Sequence, residues 1–263
     1  MTDNDHEQQS VAEKPKTPFL GLTPNLSLFG TFAVYISAQI LSLVVVGGYA
    51  ALRFGSSDQA QRWLQSNQYA LFAMSLLTAL LGTALIGLIL RWTKTNWRSI
   101  GLKRPQLKDG LNALLGYGYY FPLFIVTSVA VYNFLPGVDF QQEQQLGFDR
   151  AVSGWPLLVV FVGLVVLPPL YEEILCRGFL YTGLRRRMNM WVAGFITSVV
   201  FAAAHLGFGS GDPLHWAVAI DTFVLSIVLV GLREKTGSLW PAIGLHAIKN
   251  MIAFSLLFIF RIF

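Results

Sequence analysis

The chain has 263 residues, of which 54% are hydrophobic and only 13% charged, with a mean hydropathy of +0.54. A soluble domain averages about 25% charged residues, so this balance excludes an ordinary water-soluble globular protein. The net charge of +5 is no argument for a nucleic-acid partner, because basic residues in such an apolar chain first encode membrane topology, and the single cysteine, Cys176, excludes an internal disulfide.

Residues 1–25 are polar, mixed in charge and contain Pro15 and Pro18. They lack the basic-then-apolar order of a secretory signal peptide and are expected to form a disordered cytoplasmic tail. The rest, 26–263, reads as one transmembrane domain. Apolar runs predict seven spans, at about 28–52, 68–90, 111–135, 158–183, 190–210, 214–232 and 238–260. An eighth would require a misread block around 136–154, against which Asp139, Glu143, Asp149 and Arg150 argue. The short alternating strands of a transmembrane barrel are absent, so the fold class is all-α, a polytopic helical bundle. Gly207, Gly209, Gly211 and Pro213 break the chain between the fifth and sixth spans, and Thr236-Gly237-Ser238 marks a tight turn between the last two.

Lys and Arg then orient the bundle. With the N-terminus inside, the inner segments hold Lys14, Lys16, Arg91, Lys94, Arg98, Lys103, Arg104, Lys108, Arg185–Arg187, Arg233 and Lys235. The outer segments hold only Arg53, Arg62, Arg150 and Arg261. Thirteen against four predicts a cytoplasmic N-terminus in a bacterial-type plasma membrane. Trp155, Trp191, Trp216 and Trp240 lie near span ends, as interfacial anchors do.

The fourth span contains Leu167-Pro168-Pro169-Leu170-Tyr171-Glu172-Glu173-Ile174-Leu175-Cys176-Arg177. An ionised group at a span centre costs about 2.5–3.5 kcal/mol, so such residues face the bundle interior and usually carry function. The two prolines free backbone carbonyls just before the acids. Glu173 and Arg177 stand at i,i+4 with the acid first, the favourable order for an ion pair, which leaves Glu172, about 100° around the helix, without a partner there. Cys176 reads as a buried packing thiol. The fifth span ends Phe201-Ala202-Ala203-Ala204-His205, whose small residues permit close helix approach. The seventh carries His246-Ala247-Ile248-Lys249-Asn250, with His246 and Asn250 on one face. His215 and Asp221 lack comparable partner spacing and read as structural. Counting 1.5 Å per residue puts His205 about 7–8 Å and His246 about 4–5 Å from the midplane, close enough to converge on Glu172.

These three motifs, Glu172-Glu173-x-x-x-Arg177, Phe201-x-x-x-His205 and His246-x-x-x-Asn250, resemble the motif set of the CPBP (Abi) intramembrane proteases, relatives of the type II CAAX prenyl endopeptidase. The likeness covers about 155–252 and includes Gly237-Ser238-Leu239-Trp240-Pro241; residues 1–150 carry only general membrane character. It implies an endopeptidase acting on a peptide or membrane-associated protein. Glu172 would activate water, His205 would hold and polarise it, His246 and Asn250 would stabilise the oxyanion, and Glu173 and Arg177 would brace the site. The favoured chemistry has no cofactor. A divalent metal such as zinc, held by Glu172, His205 and His246, is the alternative ligand set, although the helical His-Glu-x-x-His signature is absent. Two other functions fit the same residues: a non-catalytic membrane scaffold or immunity-type protein of this fold, or an ion-coupled transporter. Nothing in the sequence specifies the substrate or an oligomeric state.

Overall fold

The computed structural model describes residues 21–142, 148–208 and 213–262. The first twenty residues of the expected tail lie outside these. Residues 21–25 pack with the helical domain: Leu22 is fully buried and Thr23 caps the first helix, its Oγ1 accepting from Leu26 N at 3.2 Å.

The described residues form eight helices: α1 Pro24–Arg53, α2 Ser57–Ser66, α3 Gln68–Trp92, α4 Leu107–Phe134, α5 Trp155–Arg185, α6 Met190–Ala203, α7 Trp216–Thr236 and α8 Trp240–Ile259. Six of them, α1, α3, α4, α5, α7 and α8, are long and apolar enough to cross a membrane. The bundle is the polytopic helical fold expected. Two details differ. The fifth predicted span, α6, has 14 residues rather than 21. At 1.5 Å per residue it covers about 21 Å of a hydrocarbon core about 30 Å thick. It stops because Ala204–Leu206 tighten into turns and Gly207 takes a left-handed φ of 75°. Helix α2 lies in a segment read as a loop. It is polar overall and turns Trp63 onto Tyr49 and Phe54 at the end of α1, which makes it a short surface helix rather than a span. Among the described residues of 135–154 there is no helix before Trp155, so no eighth span appears there.

Packing follows the small residues. Helix α1 turns Ser27, Gly30, Thr31, Val34, Ala38 and Ser42 inward, a stripe at helical spacing against α3 and α5. The apolar side chains left outside, such as Phe29, Ile36, Val44, Leu80, Leu88 and Leu114, are what a lipid-facing surface requires. Gly82 of α3 packs directly against Tyr171 of α5. A Cβ there would lie 2.3–2.6 Å from the ring and hydroxyl of buried Tyr171. Overpacking of this kind costs about 1–3 kcal/mol. Gly82→Ala is therefore expected to lower the thermal unfolding midpoint of the detergent-solubilised protein and, by pushing Tyr171, to disturb the neighbouring Glu172. An unchanged midpoint would show that α3 and α5 are not held at this distance.

The two ends of the bundle are built differently. At one end, loop 93–106 lies over the α7–α8 turn: Leu239 N donates to Gly101 O at 2.9 Å and Trp240 Nε1 to Lys103 O at 2.6 Å. The turn is tight because Gly237 adopts φ 62° and its N–H closes on Arg233 O. Arg185 pairs with Glu234 at 2.7 Å beside it. At the other end, Gln142 Nε2 donates to Pro213 O at 2.7 Å, joining the α4–α5 and α6–α7 connections.

Candidate active site

Helix α5 is irregular because of its prolines. Pro168 has no N–H, so the carbonyl of Leu164, four residues earlier, loses its helical donor. The segment Val162–Val166 widens to π geometry, with Leu167 N reaching Val162 O. Asn250 of α8 supplies the missing donor, Nδ2 to Leu164 O at 2.9 Å. The deformation is thus stabilised from a second helix. A further π segment, Ile174–Leu180, follows the acidic pair. Such irregular turns are tolerated at membrane depth where they are enclosed by protein or line a cavity.

Glu173 and Arg177 are both fully buried and form the expected i,i+4 pair, Nη1 to Oε1 at 2.9 Å. The same Oε1 faces His246 Nδ1 at 2.9 Å. A carboxylate only accepts, so His246 Nδ1 carries a proton and Nε2 points away from Glu173. Arg177 also stacks its guanidinium 4.3 Å from the centre of the Phe201 ring. That ring touches both histidines, with centroids 4.7 Å from His205 and 5.9 Å from His246. Phe201 is thereby the shared wall of the site.

His205, one turn on, faces the Phe201 carbonyl through Nδ1 at 2.8 Å. The carbonyl is an acceptor, so this ring too is protonated at Nδ1. The Nε2 atoms of both histidines then converge on Glu172 Oε2, each at 3.9 Å. That oxygen is buried and has no hydrogen-bond partner among the described residues. Glu172, His205, His246, Lys249 and Asn250 line one cavity of about 680 Å³. All four residues expected to do chemistry are brought together there, with Glu173 and Arg177 packed behind them.

Lys249 was legible as an intramembrane cation, but its setting was not. It pairs with Asp221 of α7 at 2.9 Å, and Tyr120 of α4 donates to the other carboxylate oxygen of Asp221. The spacing His246 to Lys249, i and i+3, was the available signal; the partners on α4 and α7 had none. His215 is buried before α7, with its backbone N–H on Leu206 O. Cys176 is a free, buried thiol, as the sequence suggests.

Two Nε2 atoms and a carboxylate oxygen, each ring fixed through Nδ1, are chemically a ligand set for a divalent cation. As placed, however, no group of three His, Cys, Asp or Glu side chains among the described residues is arranged to hold a metal ion.

Residues 154–252, which contain Glu172, Glu173, Arg177, His205, His246, Lys249 and Asn250, match the family described as type II CAAX prenyl endopeptidase Rce1-like. The likeness to that family is confined to this segment of the chain. That segment runs from the start of α5 into α8, the helices that carry the reacting groups of the cavity. The chain is also 25% identical, over 136 residues, to the "Putative membrane peptidase YdiL" of Bacillus subtilis strain 168. The alignment covers 51% of each protein, so the chain spans about half the length of that relative. No solved structure matches significantly.

Proposed function

We propose that this protein is an intramembrane endopeptidase in which Glu172 activates a water molecule to hydrolyse a peptide bond. One observation carries the reading: a buried carboxylate oxygen with no donor among the described residues stands 3.9 Å from each of two imidazole nitrogens. A water between them would donate one proton to Glu172 and the other to His205 Nε2. Its oxygen attacks the carbonyl carbon as Glu172 takes the proton. Glu172 then returns that proton to the departing amine as the C–N bond breaks.

The two histidines differ in what stands behind them. His205 rests on a neutral carbonyl and suits a neutral, accepting ring. His246 is held through Nδ1 by the Glu173 carboxylate, which turns Nε2 toward the reacting groups, where, carrying a proton, it can donate to the oxyanion. Asn250 has one amide hydrogen committed to Leu164 O and a second left for the same oxyanion. The substrates in this reading are peptides or membrane-associated proteins, and the membrane is a plasma membrane with the N-terminus in the cytoplasm.

The test is comparative peptide and membrane-protein profiling of cells carrying wild-type protein or Glu172→Gln, repeated on purified protein with and without a chelator. Fragments present only with the wild type support the reading. Identical profiles, or turnover by Glu172→Gln, would overturn it, and loss with chelator restored by a divalent ion would replace it with a metal-assisted mechanism at the same three side chains.

A further inference from the structure

We infer that the reaction cavity opens at the end of the bundle opposite the basic loops, so that it receives polypeptide from the non-cytoplasmic side. The inference rests on the proteolytic reading for its substrate, a segment of an exported or outward-facing chain, but not for its geometry.

The register of the cavity wall carries it. Helix α5 runs toward the basic end, and its lining residues Leu164, Pro168 and Glu172 stop at Glu172. Helix α7 runs the same way and contributes only Val218 and Thr222, from its first two turns. Helix α8 runs oppositely and contributes nothing before His246, but continues through Ala253 and Leu257. On all three helices the wall therefore extends from the reacting groups in one direction. It finishes at Phe140, Gln141, Gln142 and Arg150 in the α4–α5 connection, which form the outer rim. A second cavity, of about 500 Å³, reaches Glu172 between α1, α3 and α5 and occupies the same half; its α3 residues run from Leu71 to Ala79, near the start of that helix.

The opposite direction is closed. Beyond Glu172 on α5 come Glu173, Arg177, Phe179, Leu180, Tyr181 and Leu184, each at most 2% exposed. Ile100 and Leu239, both 0% exposed, complete the plug, and the bonds from Leu239 and Trp240 to loop 93–106 hold it in place. That loop and its neighbours carry Arg98, Lys103, Arg104, Arg186, Arg233 and Lys235. Basic loops are retained on the cytoplasmic side. The sealed end is thus cytoplasmic and the open end faces outward.

Thiol labelling tests this without any turnover. Glu172→Cys, Ala253→Cys and Arg104→Cys are each treated with a small membrane-impermeant thiol reagent, in intact cells and in inverted vesicles, with wild type giving the baseline of buried Cys176. Glu172→Cys and Ala253→Cys are expected to react at least about tenfold faster in intact cells, and Arg104→Cys in inverted vesicles, since thiol modification follows access. Reaction of the cavity cysteines from the same face as Arg104→Cys would overturn the inference, as would equal rates from both faces or no reaction from either. Ala253→Cys leaves the acids and histidines in place, so its result stands where Glu172→Cys fails to accumulate. A protein that labels as expected yet cleaves nothing removes the proteolytic reading alone; one that cleaves but labels from the cytoplasm removes this inference alone.

Discussion

Arg177→Met is expected to destabilise the protein by about 3–5 kcal/mol, the cost of leaving a buried carboxylate without its cation. Glu173 and Arg177 are both wholly inaccessible, 2.9 Å apart, and the guanidinium also covers Phe201. Methionine fills much of the arginine stem but cannot neutralise Glu173, which would be left with His246 alone. The measurement is thermal or denaturant unfolding in detergent, with the fraction inserted in membranes as a second readout. Adding Glu173→Gln removes the stranded charge as well, so the double variant should regain most of the lost stability. It should not regain turnover, because His246 would then face a neutral amide in place of a carboxylate. Stability and activity recovering together would mean that Glu173 serves Arg177 only. Neither recovering would mean that the pair is required for the local π geometry of α5 rather than for charge balance.

That pair was legible in the sequence, because i,i+4 spacing within one helix needs no tertiary information. The long spans were legible for a similar reason: apolar runs of membrane length report a solvent, not a partner. What failed was the length of α6 and whatever a distant segment decides. Helix α6 looked longer because its apolar composition continues to Leu206, while Gly207 ends it only through its backbone conformation. Helix α2 escaped notice because ten mostly polar residues read as a loop unless Trp63 is known to sit on Tyr49. Glu172, His205, His246 and Asn250 were identified by spacing and resemblance, yet the contact that sets the His246 tautomer, with Glu173, crosses 73 residues. Pro168 announced an orphaned carbonyl at Leu164. Nothing announced that Asn250, 86 residues away, would satisfy it.

Glu172→Gln should reduce turnover by about 10²–10⁴-fold, the usual contribution of a positioned general base, while leaving the unfolding midpoint close to that of wild type. Glutamine keeps the side chain's shape and one acceptor oxygen, so water can still bind; it cannot take the proton. His246→Ala should cost about 10²–10³-fold, as removal of one oxyanion donor does, and it also exposes Glu173 as a partly unpaired acid. His205→Ala loses only an acceptor for the water's second proton and is expected to fall least. Glu172 and His205 share one water, so the effects of their variants should not add: once Glu172 is glutamine, removing His205 should change the residual rate little. If instead Glu172→Gln and His205→Ala multiplied, the two groups would act in separate steps. Glu172 would then take up the proton without His205 on the same water, and the 3.9 Å separation would reflect packing around Phe201 rather than a shared nucleophile.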